Sequence, residues 1–180
     1  MPRGGLRGRY VRCRAVARIL IVGGGCRGRQ LASAMAAEGH VLRITTRTEV
    51  GRAAIEAAGA ECWIGTPDRL VTLRGALEGV AILCWLLGSA VGPSQQLRAL
   101  HTTRLEFFLT QAIDTTVRGV IYEASGTTGL PGSLIEGERI VRGLTERNAI
   151  PVAFLAADPN GLSAWLAEAR SAVDSLLARA

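Results

Sequence analysis

Residues 17 to 31 read A-R-I-L-I-V-G-G-G-C-R-G-R-Q-L. A short apolar run, Ile19 to Val22, delivers the chain into Gly23, Gly25 and Gly28, spaced G-x-G-x-x-G. A helix-compatible stretch, Gln30 to Ala37, follows at once. Strand, glycine turn and helix in that order make the phosphate turn of a dinucleotide-binding unit. Gly23 allows the tight exit from the strand, Gly25 lets the backbone approach a pyrophosphate, and Gly28 lets the helix pack closely on the strand. The helix N-terminus then offers unpaired N–H groups and a positive dipole end to phosphates. With 22 glycines in the chain, the spacing alone is weak. The strand before it, the helix after it and a second strand at the right distance give it weight.

Outward from this turn, apolar runs and helical patterns alternate. His40 to Thr46 reads as a second strand, Val50 to Ala58 as a short helix closed by Gly59, and Ala60 to Ile64 as a third strand. Thr66-Pro67 predicts a helix start, with Thr as N-cap and Pro at the first helical position, running to about Glu78. Val80 to Leu87 is uniformly apolar and reads as a central fourth strand. Pro93 opens a helical stretch in which Leu105, Phe108, Leu109, Ala112 and Ile113 keep the period, with a break near His101. Val117 to Ala124 is a fifth strand. Ser133 and Glu136 match a capping box for a helix ending near Arg147. Ile150 to Leu155 is a sixth strand, put at an edge by Pro151. Leu162, Trp165, Leu166, Ala169, Val173, Leu176 and Leu177 line one face of a final helix, which would cover the sheet or form a homodimer interface. The expectation is an α/β protein, a three-layer doubly wound Rossmann fold with a six-stranded parallel sheet in the order 3-2-1-4-5-6. With one last helix after the sixth strand, no separate substrate domain is expected.

The 180 residues are enough for one such domain, expected over residues 17–180. All 21 cations are arginine, so a lysine Schiff base, a Walker lysine and a Tyr-Lys pair are excluded from this chain. Arg3, Arg7, Arg9, Arg12, Arg14 and Arg18 crowd its start, and the remaining fifteen arginines balance fifteen acids. A basic groove for nucleic acid is therefore not indicated. Residues 1–16 form a basic Gly/Arg arm too poor in apolar residues to fold. Arg14 and Arg18 interrupt the apolar stretch of any export signal, which needs ~7–15 such residues. Val80 to Leu87 is far short of the about 20 needed to span a bilayer. A cytoplasmic protein without a membrane segment is expected. Cys13, Cys26, Cys62 and Cys84 with His40 and His101 show no metal-ligand spacing, so no metal is expected.

Four places carry a resemblance to a known family: V-G-G-G-C-R-G at Val22 to Gly28, G-H-V-L-R-I-T-T-R at Gly39 to Arg47, the segment Gly65 to Glu78, and Leu86-Leu87-Gly88. Over residues 17–155 the chain resembles the extended and atypical short-chain dehydrogenase/reductase superfamily, NAD(P)-binding Rossmann proteins that include epimerase-like and NmrA-like branches. The resemblance implies a nicotinamide dinucleotide held by Gly23, Gly25, Cys26, Arg27, Gly28, Thr46, Arg47, Thr66, Leu87 and Gly88. An NAD site ends its second strand in an acid that accepts the ribose 2′-OH. Here the tip reads Thr45-Thr46-Arg47, and an arginine can pair with a 2′-phosphate. This favours NADP(H) while leaving NAD open, and it disfavours FAD and S-adenosylmethionine. Arg27 in the turn could assist, and Glu49 nearby opposes. After the third strand the family commonly has Asp to bind adenine; here Gly65 is followed by Thr66, with Asp68 two further on.

Typical members move a proton with Tyr, assisted by Lys and Ser. Ser125, Thr127 and Thr128 stand where the Ser belongs, but the Tyr-x-x-x-Lys pair falls near Leu130 and Leu134. Tyr10 lies in the arm and Tyr122 inside the fifth strand, so Tyr122 and Ser125 are the catalytic candidates, with Glu123 beside them at the strand's end. The expected function is an NAD(P)-binding Rossmann protein, NADP(H) favoured, without the usual dyad, which reports redox state to a partner; an unidentified small molecule or protein is the expected partner. The alternative is an active NAD(P)-dependent oxidoreductase or epimerase-like enzyme with nonstandard catalytic groups. A weaker third reading makes the arm a nucleic-acid tether.

Overall fold

A computed structural model describes residues 16–179. The basic arm expected over residues 1–16, with Tyr10 and Cys13, lies outside them apart from its last residue. Six strands form one parallel sheet: β1 (Arg18–Val22), β2 (Val41–Thr46), β3 (Ala60–Ile64), β4 (Ile82–Trp85), β5 (Gly119–Glu123) and β6 (Val152–Leu155). Their order is β3-β2-β1-β4-β5-β6, as the alternation of elements predicts. β4 sits centrally with every residue buried, and β6 takes the edge that Pro151 points to.

Side chains alternate across the sheet. Ile19 and Ile21 of β1 face a core shared with α1 (Cys26–Ala37), α2 (Arg52–Ala57) and α6 (Leu162–Leu177). Leu20 and Val22 face the opposite core. There they meet a 3-10 segment, Leu70–Leu77, with α4 (Thr103–Ile113) and α5 (Pro131–Arg147). α3 (Ser94–His101) packs on α4 and α5, and the two helices of the long stretch part at Thr102, where φ and ψ are −125° and −102°. α6 covers the sheet, with Trp165 wholly buried.

Three local expectations need correction. The first helix starts at Cys26, four residues before Gln30, and takes Gly28 into its first turn. The segment after β3 is not an α-helix from Thr66-Pro67. The Asp68 N–H donates to Thr66 Oγ1 (3.2 Å), closing a tight turn, and the chain reaches β4 through 3-10 geometry, which rises faster per residue. The Ser133–Glu136 capping box does not form. Pro131 opens α5, Ser133 is already buried inside it, and Glu136 pairs with Arg139 at 2.6 Å.

Candidate functional site

At the C-terminal ends of the strands, where the sheet order reverses between β1 and β4, a cleft of about 710 Å³ opens. Its floor is the glycine turn. Gly23 has φ +128°, and a Cβ there would lie 2.3 Å from the Leu86 carbonyl oxygen. A Cβ on Gly28 would lie 2.3 Å from the Gly23 oxygen, so α1 reaches β1 only because that side chain is absent. The first intrahelical bond of α1 runs from the Arg29 N–H to the Gly25 oxygen (3.1 Å). The N–H groups ahead of it have no intrahelical acceptor, the arrangement that receives phosphate.

Gly23, Gly25, Cys26, Arg27, Gly28, Thr46, Arg47 and Leu87 all line this cleft. Thr66 and Gly88 sit beside it: Gly65, Pro67 and Ser89 form the wall at those two points. At the β2 end Arg47 is exposed and, among the described residues, makes no hydrogen bond or ion pair. Glu49, which would oppose an anion there, is taken by Arg52, with contacts of 2.5 and 3.0 Å. That pairing holds the Glu49 carboxyl below its usual range. Asp68 beyond β3 is engaged by Arg104 of α4 at 2.5 Å.

Arg27, expected to assist Arg47, is paired at the other end of the cleft. Its Nη2 donates to Glu123 Oε1 (2.8 Å) and to Ser89 Oγ (2.9 Å), at the β4–β5 end of the cleft. The cause is a fully buried carboxylate: Glu123 also accepts from the Trp165 indole N–H (2.9 Å) and the Gly88 N–H (2.7 Å). Glu123, Trp165 and Ser89 line the cleft as well. The sequence signals Glu123 as an acid ending an apolar strand. Nothing local signals its pairing with an arginine 96 residues away.

The two catalytic candidates are placed elsewhere. Tyr122 lies one residue before Glu123, so alternation turns its ring to the opposite face, fully buried. Its hydroxyl meets His101 Nδ1 at 2.8 Å and donates to the Leu134 oxygen at 3.3 Å. Burial raises the Tyr122 phenol, with the Glu123 charge adding to the effect, and burial lowers His101 to about 4. The Ser125 hydroxyl donates to the Ala157 oxygen at 2.6 Å. Neither Tyr122 nor Ser125 lines the cleft. Cys84 is buried, which pushes its thiol up to about 12. Among the described residues no group of three or more His, Cys, Asp or Glu could hold a metal ion, and no helix is long and apolar enough to cross a membrane.

No family model and no curated protein matches the chain. Solved structures do. A short-chain dehydrogenase from Streptomyces avermitilis is 16% identical, with TM-score 0.63 over 78% of this chain and 64% of that one. The Citrobacter sp. triphenylmethane reductase complexed with NADP(H) is 19% identical, with TM-score 0.58 over 76% of this chain and 48% of that one. BdcA from E. coli is 14% identical, with TM-score 0.60 over 87% of this chain and 92% of that one. At these identities the likeness is one of fold. The chain has the Rossmann architecture of short-chain dehydrogenases and NADP(H)-complexed reductases, in line with the resemblance read from the sequence. It spans about half to two thirds of the length of several of these neighbours.

Proposed function

We propose that the chain binds a nicotinamide dinucleotide in this cleft, with NADP(H) preferred, and that it does so without the Tyr-Lys dyad. One observation carries the reading: the glycine cradle and the unpartnered Arg47 line the same cleft, one where a pyrophosphate would sit and the other at the second-strand tip, where the adenosine ribose would sit. The cradle fits a pyrophosphate because Gly25 borders open space in the cleft, while the missing side chains of Gly23 and Gly28 let β1, Leu86 and α1 close up beneath it. Arg47 fits a 2′-phosphate because its fork is free and Glu49 is neutralised by Arg52. A bound nicotinamide would supply hydride exchange. The chain would supply orientation, through the α1 N-terminus at one end and Arg47 at the other.

The absence of lysine and the burial of Tyr122 behind β5 support a binding role over proton transfer by a tyrosine acid. Titration of Arg47→Gln with NADPH and NADH tests the reading. NADPH affinity is expected to fall about tenfold or more, roughly 1.4 kcal/mol, with NADH affinity within about twofold of the parent. Equal losses for both nucleotides would remove Arg47 from the 2′-phosphate.

A further inference from the structure

The cluster at the β5 end of the cleft is built for more than packing. Glu123 is fully buried and its carboxylate has three donors: Arg27 Nη2, the Trp165 indole N–H and the Gly88 N–H. Two of these are neutral and fixed in the fold, so the carboxylate keeps them if Arg27 departs. The guanidinium is placed less tightly. Nη2 serves both Glu123 and Ser89, while Nε is buried with no hydrogen-bond partner. The group lies over the Trp165 ring, 5.3 Å from its centroid, and its side chain is 23% exposed on the wall of the cleft. It hangs from the second residue of α1, beside the glycine turn, on a long flexible stem. It can exchange partners without leaving the cleft.

We propose that the Arg27 guanidinium is an oxyanion receptor of the cleft, and that the Glu123 carboxylate is its internal competitor, holding it in the ligand's place. The oxyanion is either the pyrophosphate of a bound nucleotide or the carboxylate of a second ligand beside it. Both present paired oxygens to a planar fork. Incoming oxygens would also reach the donors Glu123 leaves unused. The inference deepens the dinucleotide reading by saying what the β5 end of that cleft takes, but it does not require the nucleotide to carry nicotinamide.

The test is calorimetric titration of the full chain with inorganic pyrophosphate and, separately, with oxalate. Glu123→Gln, the double variant Arg27→Gln/Glu123→Gln and the surface control Arg139→Gln are compared with the parent, and a thermal melt of each confirms folding. Glutamine keeps one acceptor oxygen, for either the Trp165 indole or the Gly88 N–H, sets its NH2 against the other donor, and removes the competing charge. Glu123→Gln is expected to bind at least one anion about three- to tenfold more tightly than the parent, and the double variant to bind it at least about tenfold more weakly than Glu123→Gln. Arg139→Gln should match the parent. A gain in affinity cannot come from a damaged fold. A gain for pyrophosphate alone assigns the site to the nucleotide, a gain for oxalate alone to a second ligand, and both outcomes support the proposal. Glu123→Gln binding neither anion more tightly, or the double variant keeping the gain, overturns it. If Glu123→Gln melts below the assay temperature, Arg27→Lys decides, since it keeps a charge beside Glu123 but loses the fork. Binding weakened about tenfold supports the proposal, and unchanged binding overturns it. None of these outcomes depends on whether NADPH binds, so a failure here is distinct from a failure of the dinucleotide reading.

Discussion

At the scale of residues, two neighbours on β5 divide the work of the strand. Glu123 turns to the cleft and Tyr122 turns away from it, and the buried His101–Tyr122 contact ties the α3–α4 break to the sheet. Burial keeps His101 neutral down to about pH 4, against 6.5 in the unfolded chain, and the Leu87 backbone opposes that shift only in part. Between these values the unfolded chain binds the extra proton. The stability His101 contributes is therefore present in full above about pH 6.5 and is lost as pH falls through 4, roughly 3 kcal/mol in all. Urea melts of the parent at a series of pH values should show this slope, and His101→Gln should flatten it; equal slopes would assign the acid sensitivity to other groups. Tyr122→Phe removes the hydroxyl from His101 and should cost about 1–3 kcal/mol in the same melts, without weakening NADPH binding. A loss of nucleotide affinity in a well-folded Tyr122→Phe would return the tyrosine to the site. At this scale the sequence told half the story. Residue types and chain spacing single out Arg47 at the second-strand tip, and the structure has it there, on the cleft lining. The direction of Arg27 was not legible, because it is set by a carboxylate brought close only by the completed sheet.

At the scale of elements, the close approach of α1 to β1 decides whether the cleft exists. Gly28→Ala places a methyl 2.3 Å from the Gly23 oxygen and must push α1 off the strand. It should destabilise the fold by about 1–3 kcal/mol and weaken NADPH binding by more than about tenfold. Binding at the parent's affinity would mean that the turn is not the phosphate cradle. On the other face, Gly137 lets α5 pack over Tyr122, since a Cβ there would lie 2.1 Å from the Tyr122 hydroxyl oxygen. Elements whose apolar period is long, such as α4 and α6, were legible to within a residue or two. The segment after β3 was not. Its Thr-Pro start is a sound local signal for a helix, but a turn closed by Thr66 and the short reach to β4 select 3-10 geometry instead. The capping box at Ser133 failed for a related reason: Pro131, two residues earlier, fixes the first helical residue by itself.

At the scale of the molecule, the order of six strands followed from the alternation of elements alone. Right-handed crossovers leave a chain of this pattern few other parallel sheets to form. That order places the switch point between β1 and β4, the glycine turn beneath it, and the two arginines at opposite ends of one cleft. Fold and glycine turn were thus readable from short-range pattern. The Glu123–Arg27–Trp165 cluster was not, since its members lie on three elements far apart in the chain. The cleft is proposed to be a dinucleotide site with a preference for the 2′-phosphate. Equilibrium titration of the folded chain with NADPH and NADH, followed by nicotinamide fluorescence, tests it most directly. Saturable NADPH binding about tenfold or more tighter than NADH is the predicted result. A chain that melts cooperatively and binds neither nucleotide would contradict it.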